Sequence, residues 1–313
     1  MKDTDANAPS PATTRTGVLY GVGAYVWWGM VPIYFKAIAH VQPLEVLTHR
    51  IVWSVLLLFG MIKLSGRMAN VMRILRDRQT MLLLTGSTLL LACNWLTFIY
   101  AVISEQILQA SLGYFINPLV NIALGYLVLG ERMRRPQLIS VSLATLGVGY
   151  LTYVGGVFPW ISLAVAFSFG FYGLLRKIAR ADALVGLTVE TTLLTPAAIA
   201  YFAFLSAKGT AAFGEGWKIS FLLFLGGAIT TIPLLWFANA ARRLRLSTVG
   251  ILQYIAPSMQ FLLAVLFYGE PFEDHHVVSF SLIWSALLLY SADAYHGMRR
   301  RSPLPLTPAQ RRT

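Results

Sequence analysis

The 313-residue chain contains a single cysteine and very few charged side chains. One cysteine, Cys93, cannot form an intrachain disulfide, and no cysteine and histidine spacing typical of a metal site occurs. Charged residues make up 12% of the chain, against about 25% in soluble domains. These shortages exclude a disulfide-stapled secreted domain and disfavour any soluble fold.

Catalytic and nucleotide-binding motifs are also missing. The sequence has no H-E-x-x-H zinc pair, no G-x-S-x-G nucleophile elbow and no G-x-x-x-x-G-K phosphate loop. These absences argue against an intramembrane enzyme and against ATP use by this chain. We therefore predict no catalytic residue, no metal and no cofactor.

Long apolar stretches are what the chain does contain, since 57% of its residues are hydrophobic. A membrane-spanning helix needs about 20 consecutive apolar residues. Ten stretches meet this requirement, so we predict an all-α integral membrane protein. The predicted spans are 17–38, 44–64, 80–103, 108–129, 137–154, 158–178, 184–206, 217–240, 246–269 and 276–297.

The positions of lysine and arginine predict the orientation of these spans. All but four of the 25 basic residues lie in the tails or in alternate loops, the exceptions being Lys36, Arg50, Lys208 and Lys218. Cytoplasmic loops carry the excess of basic residues. We expect a disordered cytoplasmic tail at 1–16, a basic cytoplasmic tail at 298–313, and a multi-pass protein of a bacterial inner membrane. Because the net charge of +12 sits in short connectors, it predicts no nucleic-acid partner.

An internal repeat is visible when the fourth span is placed on the ninth with a shift of 139 residues. Pro118 then falls on Pro257, and Gly130-Glu131 falls on Gly269-Glu270. Five spans per half is an odd number, so the two halves, 17–155 and 156–297, must cross the membrane in opposite directions. Inverted repeats are a common plan of secondary transporters.

Several motifs carry a resemblance to a known family. They are ASLGYFINP at 110–118, LGE at 129–131 with YGE at 268–270, THR at 48–50, Asn94-Trp95, and LRLST at 244–248 followed by Gln253-Tyr254. This chain resembles the RarD proteins of the EamA branch of the drug/metabolite transporter superfamily. The resemblance spans residues 17 to about 295. It implies a ten-helix fold with a central cavity and export of small metabolites or drug-like molecules.

Ionisable side chains within the spans are the first functional candidates, since charge is costly in hydrocarbon. Arg50 is predicted to bind a carboxylate or another anion, or to pair with a glutamate. Glu45 and His49 lie four residues apart on one helix face and could pair. His49 is also a candidate for proton coupling, because imidazole changes charge near physiological pH. Glu190 is a candidate for proton coupling or a structural partner of Arg176 or Lys177. Lys36 would attract an anionic solute or extend its amine to the head groups.

Polar residues of the fourth and ninth spans are candidates for lining a cavity. Tyr114, Asn117 and Asn121 lie on one side of the fourth span, and Gln253 occupies the position equivalent to Tyr114. Asn94 and Trp95 add a hydrogen-bonding group and an aromatic wall in the third span. The alternative for the polar residues is hydrogen bonding between helices.

Glu131 and Glu270 each precede a predicted helix, and we expect each carboxylate to cap the free amides of the helix that follows.

The sequence thus predicts a secondary transporter exporting a small solute of amino-acid or amphenicol type. The alternatives are an importer, a non-transporting membrane protein and, less favoured, an intramembrane enzyme. The expected partners are a small-molecule substrate, the lipid bilayer and a coupling proton. Oligomeric state is left open.

Overall fold

The computed structural model describes residues 11–130, 134–156, 158–179, 181–244 and 252–299, and within them the chain is helical without any strand. A π-helical turn, Leu263–Phe267, continues the tenth helix. The helices are α1 (Pro11–Ala37), α2 (Pro43–Leu64), α3 (Met68–Arg76), α4 (Arg78–Ile103), α5 (Ile107–Leu129), α6 (Arg135–Gly155), α7 (Trp160–Ile178), α8 (Ala183–Lys208), α9 (Trp217–Arg243), α10 (Ile255–Leu262) and α11 (Asp274–Arg299).

Nine helices of this described part are long and apolar enough to cross a membrane, all except α3 and α10. The prediction of an all-helical membrane protein is therefore confirmed. The ninth predicted span, 246–269, is the one that differs. Its residues 246–251 lie outside the described residues, and the rest forms the shorter apolar helix Ile255–Phe267.

Two helical segments were not predicted. Helix α1 already begins at Pro11, inside the predicted tail 1–16. Helix α3 lies in the loop between two spans, burying Val71 and Ile74 and exposing Met68 and Met72. Such a short amphipathic helix buries only one face, so a search for long apolar stretches misses it.

The central helices pack in pairs that join distant parts of the chain. Helix α9 packs on α1 and α2, α7 packs on α4 and α5, and α6 packs on α11. Gly227 permits the close approach of α9 to α2, since a Cβ there would lie 2.5 Å from the Cβ of Trp53. This contact places α9 against the segment of α2 that carries Arg50.

Candidate functional site

Arg50 lies about two turns into α2 and is surrounded by three other helices. Its Cζ is 4.3 Å from the ring centroid of Trp95 on α4 and 5.9 Å from that of Phe35 on α1. Its Nε donates a hydrogen bond to Oγ1 of Thr230 on α9. The Thr230 hydroxyl in turn donates to the Gly226 carbonyl over 2.8 Å. The guanidinium is therefore held by two rings and one oriented hydroxyl.

The two Nη groups of Arg50 are not used by the protein. Within the described ranges, no carboxylate lies within salt-bridge distance of Arg50 and neither Nη atom has a hydrogen-bond partner. The side chain is only partly buried. A fork of N–H donors thus remains available inside a bundle of apolar helices.

Trp95 lies directly against this arginine, and Asn94 and Tyr114 form a hydrogen-bonded pair next to it. The Tyr114 hydroxyl donates to Asn94 Oδ1 over 3.3 Å. Asn94 Nδ2 donates to the Val165 carbonyl and to Ser168 Oγ, each over 3.1 Å. Phe98 links the aromatic rings, with centroids 6.0 Å from Phe35 and 5.7 Å from Tyr114. We call Phe35, Arg50, Asn94, Trp95, Tyr114 and Thr230 the Arg50 cluster.

Three other predicted residues lie elsewhere. Asn117 Nδ2 donates to the Ala166 carbonyl of α7 over 3.1 Å, and Asn121 Nδ2 donates to Asn117 Oδ1 over 3.1 Å. Both therefore lie along the contact of α5 with α7. Gln253 lies half-buried in the turn before α10. In the part of the chain that the structure describes, no hydrogen bond joins these three residues to the Arg50 cluster.

Glu45 and His49 approach each other but also hold the loop after α8. The Glu45 carboxylate accepts hydrogen bonds from the amides of Ala212 (2.7 Å) and Phe213 (3.3 Å). His49 Nε2 lies 4.0 Å from Glu45 Oε1. The imidazole stacks on the Phe213 ring with centroids 4.8 Å apart, and its Nδ1 accepts a hydrogen bond from Trp53. Both side chains are buried and anchor the 209–216 loop to α2.

Lys36, at the end of α1, lies near two carboxylates, those of Glu105 and Glu270. Its Nζ is 3.2 Å from Glu105 Oε1 and 5.3 Å from the ring centroid of Tyr268. The Glu270 carboxylate accepts hydrogen bonds from the amides of Ile107 (2.8 Å) and Leu108 (2.7 Å). Side-chain contacts therefore connect α1, α5 and the segment after α10. They are made by Lys36, Glu105, Tyr268 and Glu270.

The expectation that Glu270 caps the following helix is wrong, because it caps α5 instead. The helix that follows, α11, begins at Asp274, whereas the free amides at the start of α5 lie against Glu270. Glu131 lies outside the described residues.

Glu270 makes the stability of the protein depend on pH. Burial raises the pKa of its carboxyl above the ordinary value of 4.5, against the opposing effect of the Leu108 and Ile107 amides and Lys36. Because its pKa is higher in the folded state than in the unfolded state, the protonated Glu270 carboxyl contributes to the stability of the fold. This contribution is complete below pH 4.5 and is lost as the pH rises through the raised pKa. Glu270→Gln should remove this dependence. The melting temperatures of the parent protein and of Glu270→Gln are measured in detergent from below pH 4.5 to above the raised pKa. The two curves of melting temperature against pH should converge or cross, whereas parallel curves would contradict the assignment.

Glu190 is fully buried between α4, α7 and α8. Its Oε1 lies 3.8 Å from Arg176 Nε and accepts a hydrogen bond from Ser87, while the Tyr172 hydroxyl donates to Oε2 over 3.4 Å. Arg176 Nη2 donates to the Asp182 carbonyl, whereas its buried Nη1 has no hydrogen-bond partner. Of the two partners that the sequence analysis named, Arg176 is the one the structure places at Glu190.

The sequence analysis did not single out Phe35, Thr230, Ser87 or Tyr172. Phe35 and Tyr172 are aromatic residues within apolar stretches and carry no distinguishing local pattern. Thr230-Thr231, separated by two residues from Gly226-Gly227, interrupts an otherwise apolar helix and was the available signal. Hydroxyls within a span usually bond to a neighbouring turn or a neighbouring helix.

Comparisons with known proteins agree with this arrangement of helices. The model of the EamA-like transporter family matches residues 15–153 and again 159–292. An uncharacterized transporter of Vibrio cholerae is 46% identical over 93% of this chain and 98% of its own length. Protein RarD of Salmonella typhi is 45% identical and that of Escherichia coli 44% identical, each over 92% of this chain and 98% of the relative.

More distant similarities extend the comparison. A protein of Pseudomonas aeruginosa named chloramphenicol-sensitive protein RarD is 31% identical over 91% of this chain and 97% of its own length. One crystal structure superposes with a TM-score of 0.57 at 16% identity, covering 88% of this chain and 96% of that one. At this identity the match shows the fold alone.

These relatives are bacterial transporters, which confirms the prediction of a multi-pass membrane protein that is not an enzyme. The chain belongs to the EamA-like transporter family, as a RarD-like member.

Proposed function

We propose that this protein is a secondary transporter of the bacterial inner membrane that exports a small metabolite or drug-like solute by alternating access. The observation that carries the proposal is the Arg50 cluster. Its free donor fork lies where α1, α2, α4 and α9 meet, beside polar groups of α5 and α7. A charge inside a membrane bundle usually lies on a substrate or ion pathway.

The architecture of two inverted five-helix halves, 17–155 and 156–297, is part of the proposal. The family model matches the chain twice, once in each half. Helix packing supports the same relation, because the contact of α1 with α9 has its counterpart in that of α7 with α4. Arg50 and Glu190 lie equally far from the starts of α2 and α8, at Pro43 and Ala183.

Alternating access requires contacts that break when one side of the site opens. We assign this gating role to Lys36 with Glu105, which lie at the end of the bundle predicted to be extracellular. Glu45 and His49, which anchor the 209–216 loop, lie near the start of α2, at the same predicted extracellular end of the bundle. Both termini are placed on the cytoplasmic side by the distribution of basic residues.

Glu190 is the proposed proton-coupling group. A buried carboxylate that exchanges Arg176 for a proton during the cycle would link transport to the proton gradient. Glu190→Gln should therefore retain substrate exchange but lose stimulation by an imposed pH gradient in proteoliposomes. Asp274→Asn, at an exposed carboxylate that begins α11, is the matched control and should keep that stimulation. A Glu190→Gln protein that still responds to the gradient would rule out this role.

Counterflow in proteoliposomes tests transport itself. Vesicles loaded with unlabelled amino acids, aromatic carboxylates or amphenicols should take up a trace of the same labelled compound faster than protein-free vesicles, and the uptake should saturate. Amphenicols are included because of the name of the Pseudomonas relative. A channel would give flux without saturation or counterflow, and a non-transporting protein would give none.

Everted membrane vesicles distinguish export from import. An exporter coupled to protons should accumulate its solute in everted vesicles when respiration acidifies their interior. An importer should accumulate the solute in right-side-out vesicles instead. The importer is the second candidate function, and this pair of vesicle preparations decides between the two.

A further inference from the structure

The two arginines that lie deep between helices have different partners. Arg176 faces the carboxylate of Glu190, 3.8 Å away. Arg50 faces two aromatic rings and a threonine, and in the described ranges no carboxylate neutralises it. A partly buried charge between apolar helices that lacks a counter-charge is unfavourable, so the site binds most strongly a solute that brings its own negative charge.

The orientation of Arg50 selects the shape of that anion. Thr230 occupies Nε, and ring contacts on Trp95 and Phe35 hold the guanidinium, so the Nη pair is presented in a fixed direction. Two parallel N–H donors match the two oxygens of a planar carboxylate. The free N–H donors of Arg50 can therefore bind both oxygens of one carboxylate.

The surroundings of Arg50 select the body of the solute. The Phe98 ring contacts the rings of Phe35 and Tyr114. The Trp95 ring lies against the guanidinium itself. The hydroxyl proton of Tyr114 is already directed to Asn94. The wall next to the guanidinium is consequently aromatic and offers stacking or edge contacts to a planar apolar group.

A positively charged amine finds no partner at this site. Glu45, the nearest acidic residue along α2, is directed to the amides of Ala212 and Phe213. Glu190 is enclosed with Arg176. No acidic side chain of the described residues contacts the Arg50 cluster, so an α-ammonium group would lose its hydration without gaining a counter-charge.

We propose that the solute bound at the Arg50 cluster is an aromatic monocarboxylate without a charged amine. The inference rests on the proposed function and narrows its cargo from a small metabolite or drug-like solute to one chemical class, which differs from the amino-acid and amphenicol types expected from the sequence. The carboxylate is held by the Arg50 Nη pair, and the ring of the solute packs beside Trp95 and the half-buried Tyr114.

Binding to purified protein in nanodiscs tests this class, because passive leakage of weak acids does not affect a binding measurement. The probes are phenylacetate, its neutral isostere phenylacetamide and the zwitterion phenylalanine, compared by calorimetry at neutral pH. Phenylacetate should bind at least about tenfold more tightly than either other compound, the ratio expected of one charge-assisted pair. Equal binding of the amide, or tighter binding of phenylalanine, would overturn the proposal.

Arg50→Lys keeps the charge but removes the planar donor fork, so it should weaken phenylacetate binding by about tenfold. Arg243→Lys is the matched control, since Arg243 also lies near a ring, that of Tyr20, but outside the cluster. Unchanged binding in Arg50→Lys would overturn the bidentate assignment. Counterflow distinguishes failure of the inferred solute class from failure of the proposed transport function. Counterflow of another solute class, without that of aromatic carboxylates, would refute the carboxylate inference alone. No counterflow of any compound would refute the proposed transport.

Discussion

Replacing Arg50 with glutamine should reduce saturable flux by about 100-fold while leaving the thermal stability of the protein close to that of the parent. Flux falls because a solute anion loses its charged partner, a change worth about 2–5 kcal/mol at a desolvated pair. Stability is kept because Arg50 has no carboxylate partner in the described residues, so no ion pair is broken. Removing an unpaired charge from the bundle relieves a desolvation cost.

Counterflow rate and melting temperature of the same preparations measure the two effects. Arg243→Gln is the control, because Arg243 lies at the end of α9 and bonds to Asn239 of its own helix. It should keep both flux and stability. If Arg50→Gln were inactive and also strongly destabilised, Arg50 would be a structural residue, and the site would have to be sought elsewhere.

Gly186→Ala should destabilise the protein by about 1–3 kcal/mol, because it displaces the guanidinium that faces Glu190. A Cβ at residue 186 would lie 1.8 Å from Arg176 Nη1 and 2.5 Å from its Cζ, so the end of the Arg176 side chain must shift. The fully buried carboxylate of Glu190 would then be paired less closely with its charged partner. Thermal unfolding in detergent should register the loss as a lower melting temperature.

Two further variants separate the ion pair from simple crowding. Gly149 lies exposed on α6, and no atom lies within 4 Å of a Cβ placed there, so Gly149→Ala should have little effect or stabilise slightly. In a background carrying Arg176→Met and Glu190→Leu, Gly186→Ala should cost much less. An equal cost in that background would mean that the glycine matters for packing and not for the ion pair.

Local sequence patterns predicted the long helices well, because each span has to satisfy its own backbone hydrogen bonds and present apolar side chains to lipid. Those requirements act within one segment and leave a readable stretch, as in α4 or α8. Helix α3 escaped the same criterion, and α10 with its π-helical turn is shorter than the predicted span 246–269. The stability of α3 depends on burying Val71 and Ile74 against other helices, which no single segment reveals.

The candidate site was only partly predictable. Arg50 and Glu190 stood out because charge within an apolar stretch is rare. Their partners are 180 and 103 residues away along the chain, at Thr230 and Ser87. Asn117 and Asn121 resembled site residues by their helical spacing, yet the structure places them along the contact with α7. Spacing identifies a helix face but not the helix that covers it.

By itself the sequence determined that this chain resides in a membrane, which segments form its long helices and which side chains carry charge among them. Tertiary structure alone decided that Arg176 faces Glu190, that Glu270 caps α5, and that Arg50 keeps its donor fork free beside Trp95. The physical reason is the distance along the chain between the residues that interact. Hydrophobicity and helix formation are properties of neighbouring residues, whereas the pairing of a charge depends on which distant helix packs against it.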